Sequence, residues 1–179
     1  MTAVLRPWRP QDACALRFAV ASAPDLAAQV GGADLSTDAL AATYIEHYLR
    51  SDSGLRSWAV VVDDQAVGNV SLSAIERRHG TAWVSYWLAE PARGRGLAAR
   101  ALAAVAPWAF EDGLFRLELG HRTNNPASCA VATRAGFPAE GVERQKLRYD
   151  DTRFDVETHA RLATDPSPAV EPLPFVIAR

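Results

Sequence analysis

Trp83-Val84-Ser85-Tyr86-Trp87-Leu88-Ala89-Glu90-Pro91-Ala92-Arg93-Gly94-Arg95-Gly96-Leu97-Ala98 is the stretch from which the rest of the chain can be placed. Its first six residues are aromatic and β-branched, in a run short enough for a strand, and Leu97 to Phe110 has helical apolar spacing. The turn between them is rich in glycine. Gly94 and Gly96 allow positive φ and close approach of a ligand, so that successive amide N–H groups can converge at the start of the helix. The helix dipole adds roughly half a positive charge there, and Arg93, Arg95 and Arg100 surround it with full charges. This is a cradle for a diphosphate.

Two ligand classes fit such a cradle. Gly94-Arg95-Gly96-Leu97-Ala98-Ala99 matches the dinucleotide fingerprint G-x-G-x-x-G/A, which requires its first glycine directly after a strand of a βαβ unit and an acid about twenty residues on. Here Glu90-Pro91-Ala92 intervene, the preceding segments read as an antiparallel meander, and Glu111 and Asp112 fall at a helix end. A nicotinamide-dependent oxidoreductase is therefore the weaker reading.

The other frame is Arg93-x-x-Gly96-x-Ala98, followed in order by Arg116-Leu117-Glu118-Leu119, Asn125-x-x-Ser128 and Ala135-Gly136-Phe137, and preceded by Tyr86-Trp87-Leu88. In this combination the sequence resembles the GNAT acyl-CoA N-acyltransferases, and within them the RimJ/RimL-like branch, whose characterised members acetylate N-terminal amines of ribosomal proteins. The resemblance runs from about Leu5 to Leu162. It implies an α/β (α+β) fold with a mixed, mostly antiparallel seven-stranded sheet flanked by about four helices. It also implies acetyl-CoA as cosubstrate, no metal, and direct attack of a primary amine on the thioester. In the resembled family the strands equivalent to 83–88 and 114–120 splay and hold the pantetheine arm between them. Backbone groups of Trp87, Leu88 and Ala89 would then polarise the thioester, Arg93, Gly94, Arg95, Gly96, Leu97 and Ala98 would hold the pyrophosphate, and Asn125 would bond the pantetheine amide or else cap a helix.

Composition narrows the classes further. The 179 residues suffice for one core, and a net charge of -2 argues against nonspecific nucleic-acid binding. Cys14 and Cys129 lack metal-ligand spacing and read as small buried hydrophobes. No eighteen-residue apolar run exists, and Met1 to Pro10 carries two prolines and two arginines where a signal peptide needs a continuous apolar segment, so a cytoplasmic protein with no membrane partner is expected.

In order, Val4-Leu5-Arg6 reads as a strand, Pro10 to about Ser22 as a helix with Ala13, Leu16 and Val20 inward, and Ser36 or Thr37 as the cap of a second helix carrying Leu40, Ala41, Tyr44, Ile45, Tyr48 and Leu49. Ser57–Val62 and Ala66–Ala74 form a hairpin about Asp63-Asp64-Gln65. Pro107 should kink or break the helix that begins at Leu97. Leu114–Gly120 is the fifth strand, Asn125 to Ala135 a short capped helix, and Arg144–Tyr149 with Phe154–Leu162 a closing hairpin. The domain spans residues 1–162. Residues 163–179, with Pro166, Pro168, Pro172 and Pro174, form an extended tail outside the core whose end, Pro174 to Ala178, is apolar enough to dock on this chain or on a second copy in a homodimer.

Acyl transfer needs a neutral amine, donors for the oxyanion and a proton source for the thiolate. The strand 83–88 has no acid, which leaves Glu118, His121 or a water chain as base, His121 reading more simply as a loop contact. Many family members carry a tyrosine acid four residues before the terminal glycine of the short helix, where this chain has Ala132; Ser128, one turn earlier, faces the sulfur in the RimJ/RimL-like branch. Asp25, Asp34, Asp38 and Glu46, with no Lys or Arg between residues 25 and 49, suggest an acidic wall for a cationic acceptor such as a peptide N-terminus. A non-catalytic acyl-CoA or amine binding module is the alternative from another class.

Overall fold

A computed structural model describes residues 2–176. Seven strands make one sheet: β1 (Ala3–Arg6), β2 (Arg56–Val62), β3 (Gln65–Glu76), β4 (Thr81–Leu88), β5 (Arg116–Arg122), β6 (Ala139–Tyr149) and β7 (Thr152–Leu162), in the order β1-β2-β3-β4-β5-β7-β6. Every neighbouring pair is antiparallel except β4 and β5. The four longer helices are α1 (Ala13–Ser22), α3 (Asp38–Tyr48), α4 (Leu97–Glu111) and α5 (Pro126–Arg134), and α2 (Leu26–Gln29) is a single turn. This is the mixed, mostly antiparallel sheet and helix set expected from the sequence.

Strand alternation sends apolar residues to both faces. Leu72, Val84, Leu117 and Leu119 pack with Leu97, Leu102 and Phe137 on one side of the sheet. Ala59, Val61 and Trp87 pack with Leu16, Ile45 and Trp8 on the other. Thr37 caps α3 by accepting from the Leu40 amide, as expected, but Leu40 and Tyr48 lie exposed, because the buried stripe is Ala41 and Ile45 with Leu49 at the cap. Asp63 and Asp64 both take positive φ, so the first hairpin closes with a two-residue turn and β3 begins at Gln65.

Other expectations also differ from the structure. Helix α4 runs unbroken through Pro107, whose ring lies on the exposed face. Cys14 is exposed rather than buried, since α1 turns Ala13 and Leu16 inward instead. The tail is extended but contributes to the core: Leu173 is 2% exposed, and its amide bonds to the Arg100 carbonyl. Beyond it, Leu5 N–H donates to Pro174 and Val176 N–H to Leu5, making a parallel bridge on the free edge of β1, and Phe175 packs edge-on against Trp58. The tail thus docks on its own chain and covers an exposed strand edge. Ile177 and Ala178, also read as part of the docking end, lie outside the described residues.

Candidate active site

The parallel register fixes the centre of the molecule. Thr81, Ala82 and Trp83 pair with Arg116, Leu117 and Glu118, and there the pairing ends, while β4 continues to Leu88 against β3 and β5 to Arg122 against β7. The two strands part like a fork with its vertex at Trp83 and Glu118. Antiparallel strands alternate the direction of their backbone groups. Ala89 N–H donates to the Val67 carbonyl, so Ala89 and Trp87 face β3, and Tyr86 and Leu88 face the fork. Of the three backbone positions expected to meet the arm, Leu88 is the one that the register turns toward it.

At the open end of the fork lies the glycine-rich turn. Glu90–Ala92 form one 3-10 turn, Gly94 and Gly96 have φ of 72° and 74°, and Gly96 stands at the N-cap of α4 with no side chain capping it. The first helical amides, Leu97, Ala98 and Ala99, have no acceptor within the helix and converge on the turn. A Cβ at Gly94 or Gly96 would meet nothing within 4 Å, so these glycines serve backbone conformation and approach to a ligand rather than packing. Arg95 lies between them. The Arg93 side chain is placed otherwise: Nε donates to the Leu88 carbonyl at 3.1 Å and Nη2 to both oxygens of Asp25 at 3.0 and 2.9 Å, tying the turn to the segment after α1. Its amide is also used, donating to Glu90.

Across the fork, α5 brings Asn125 and Ser128. The Asn125 side-chain oxygen accepts from the Ser128 amide at 3.1 Å, and Pro126 occupies the first helical position, so the asparagine caps the helix. Ser128 therefore uses its N–H for the cap, and its hydroxyl bonds to no described residue. Tyr86 spans the gap, donating its hydroxyl to the Ser128 carbonyl at 3.2 Å, and burial pushes its pKa up. The sequence gives no sign of this bridge, because it joins residues 42 positions apart.

Glu118 is half-exposed at the vertex, where it accepts from Arg116 Nε at 2.6 Å; Arg116 also holds Glu140. Both acids, their hydrogen bonds first, push the Arg116 pKa up. Two members of the acidic wall are paired as well, Asp25 with Arg93 and Asp38 with Arg17, which leaves Asp34 and Glu46 without an ion-pair partner among the described residues. His121 is not in a loop. It lies within β5, turned to the α5 side, next to His159, Glu157 and Cys129. Glu157 accepts from the Cys129 thiol and raises its pKa, and the same bond first, then the adjacent His159, holds Glu157 below the usual carboxylate range.

A forked parallel pair, a glycine turn entering a helix at its mouth and a capped helix alongside define an acyl-CoA-binding class of fold. The chain belongs to the GNAT acetyltransferase family, whose domain model matches residues 3–138. It is 33% identical over 108 residues to the ribosomal-protein-serine acetyltransferase of Escherichia coli (strain K12), a match covering 60% of each protein. Over 105 residues it is 33% identical to the probable N-acetyltransferase YjcK of Bacillus subtilis (strain 168), covering 58% of each. The matches thus span about three fifths of these relatives' length. Among solved structures, RimL, a ribosomal L7/L12 alpha-N-protein acetyltransferase in complex with coenzyme A, superposes with a TM-score of 0.77 at 24% identity, over 90% of this chain and 94% of that one. Mycobacterium smegmatis RimJ in complex with CoA-disulfide gives 0.77 at 25% identity, over 90% and 82%.

Proposed function

We propose that the protein transfers an acetyl group from acetyl-CoA to a primary amine by direct attack, with a protein N-terminus as the first acceptor to test. The observation that carries this reading is the fork between β4 and β5 opening beside a glycine turn with an uncapped helix N-terminus. The amides of Gly94 to Ala98, with Arg95, hold the pyrophosphate, and Arg93 keeps the turn in shape through Asp25. The pantetheine arm lies in the fork, where the Leu88 N–H and the Tyr86 backbone offer hydrogen bonds that the missing ladder leaves open, the Leu88 carbonyl being taken by Arg93. The amine comes from the α1–α3 face, attacks the thioester carbonyl, and passes its proton along a chain of waters to Glu118, which stands at the vertex opposite Trp83 and out of direct reach of Leu88. The Leu88 N–H stabilises the oxyanion, and the Ser128 hydroxyl donates a hydrogen bond to the thiolate as it leaves, the proton itself coming from water.

The names of the relatives favour a ribosomal-protein N-terminus, and the acidic residues Asp34 and Glu46 favour a cationic acceptor. A screen with acetyl-CoA, reading thiol release against N-terminal peptides, polyamines, amino acids and amino sugars, tests both points. Thiol appearing only when an amine is added supports the enzyme. Tight coenzyme A binding with no release for any amine would replace it with a binding module, and indifference to acceptor charge would remove the acidic wall.

A further inference from the structure

His121 on β5, Cys129 on α5, and Glu157 and His159 on β7 direct four ligand atoms at one point, all within 4.8 Å of one another. We propose that these four residues bind one zinc ion as a closed structural site, independent of the acyl-transfer reading. The argument starts from the outer nitrogens. His121 Nδ1 lies 3.0 Å from the Arg122 carbonyl, and His159 Nδ1 lies 2.9 Å from the Phe137 carbonyl. A carbonyl only accepts, so each Nδ1 carries a hydrogen, and in its neutral form each ring then presents a bare lone pair on Nε2. Those two Nε2 atoms face each other at 3.0 Å, and Glu157 Oε2 lies 3.1 Å from one and 3.3 Å from the other.

Three electron-rich atoms in mutual contact repel unless a cation lies among them. One proton on His159 Nε2 reaches both neighbours but leaves His121 Nε2 and Glu157 Oε2 lone pair to lone pair at 3.3 Å and makes no use of the Cys129 sulfur. A metal ion satisfies all three together with the Cys129 sulfur. The set of two imidazoles, one thiolate and one carboxylate suits zinc, whose tetrahedral bonds of about 2.0–2.3 Å separate neighbouring ligand atoms by roughly 3.3–3.7 Å, a few tenths wider than the contacts among His121, His159 and Glu157, with the Cys129 sulfur within 4.8 Å of each. Nδ1–H bonds to backbone carbonyls are also the outer contacts that orient metal-bound histidines. Cys129 and Glu157 together neutralise the ion, and binding releases the thiol proton to solvent.

The ion would fasten α5 to β5 and β7 where packing is thin. Ala132 is the one fully buried residue of α5, and the helix has no large apolar side chain besides Val131. With four protein ligands no coordination position remains for substrate, so the role is structural. The clamp lies one residue from Ser128.

The full chain, freed of any affinity tag and desalted after growth with zinc, should contain one zinc per chain by elemental analysis. Zinc at a hundredfold excess over its Kd should raise the Tm of metal-stripped protein by roughly 5–10 °C. Cobalt(II) in place of zinc should give a thiolate charge-transfer band that survives Cys14→Ser and disappears in Cys129→Ser. The latter variant should also bind zinc at least roughly a hundredfold more weakly, since a lost ligand exceeds the tenfold to hundredfold effect of outer partners. Glu157→Gln, at a partly exposed side chain, should weaken zinc without unfolding the protein. No zinc above background together with an unmoved Tm would overturn the proposal. So would a cobalt band lost in Cys14→Ser, or Cys129→Ser and Glu157→Gln binding zinc like the parent.

Discussion

At Gly96 the φ of 74° and the open space around its α-carbon separate two costs of substitution. A side chain there meets no protein atom, so the fold loses only the left-handed strain of about 1–2 kcal/mol. The same side chain would stand where the diphosphate must approach. Gly96→Val should therefore fold with a Tm a few degrees lower while binding acetyl-CoA more than tenfold more weakly by calorimetry, and a folded variant of unchanged affinity would dismiss the cradle. Ser128 makes the complementary case, because its cap contact uses the backbone and leaves the hydroxyl for chemistry. Ser128→Ala should lower kcat roughly ten- to a thousandfold with acetyl-CoA affinity nearly unchanged, since a bond to a forming thiolate strengthens toward the transition state. Full kcat under chemistry-limited conditions would make Ser128 only a helix residue. The glycine conformations were legible because a strand–turn–helix join leaves few alternatives. The Arg93 partner was not, because Asp25 lies 68 residues away and pairing at that range depends on how α1 packs.

Elements with strong local signals fell where the sequence put them: α3 and α5 have their caps in place, α1 follows a 3-10 turn that Pro10 opens, and the first hairpin has its two left-handed aspartates. Elements defined by partners shifted. The exit of α4 draws Leu114 N–H to the Ala109 carbonyl, which delays β5 until Arg116 and carries it to Arg122, so His121 becomes a strand residue facing His159. Composition alone could not reveal that. The tail is the larger case, for proline spacing predicts its extended shape but not its docking. Leu173 enters the core beside α4, and Leu173→Ala should cost about 2–5 kcal/mol, measurable by denaturant unfolding with an unchanged m-value. A cost within about 0.5 kcal/mol would return the tail to the surface.

For the molecule as a whole, the first strand needs an anchor on each side, because β1 has one sheet neighbour and only the short bridge from the tail on its other edge. That anchor is Arg6, buried on β1, whose two terminal nitrogens donate to the two oxygens of Asp12 at 2.6 and 2.7 Å, just ahead of α1. Asp12 also accepts the Arg9 amide. The pair joins the edge of the sheet to the first helix, and both partners are removed from water. A buried ion pair adds little over a well-packed apolar pair, yet removing one partner strands a charge and costs about 3–5 kcal/mol. Asp12→Ala should thus lower the Tm by roughly 10 °C. Arg6→Met with Asp12→Leu should recover most of that loss, apart from the cost of leaving the Arg9 amide without its acceptor. The comparison decides between the two sources of stability: a double variant as unstable as Asp12→Ala would mean that the bidentate contact itself holds β1 to α1, whereas recovery means that burial and shape hold it and the charges mainly fix the register of the first strand.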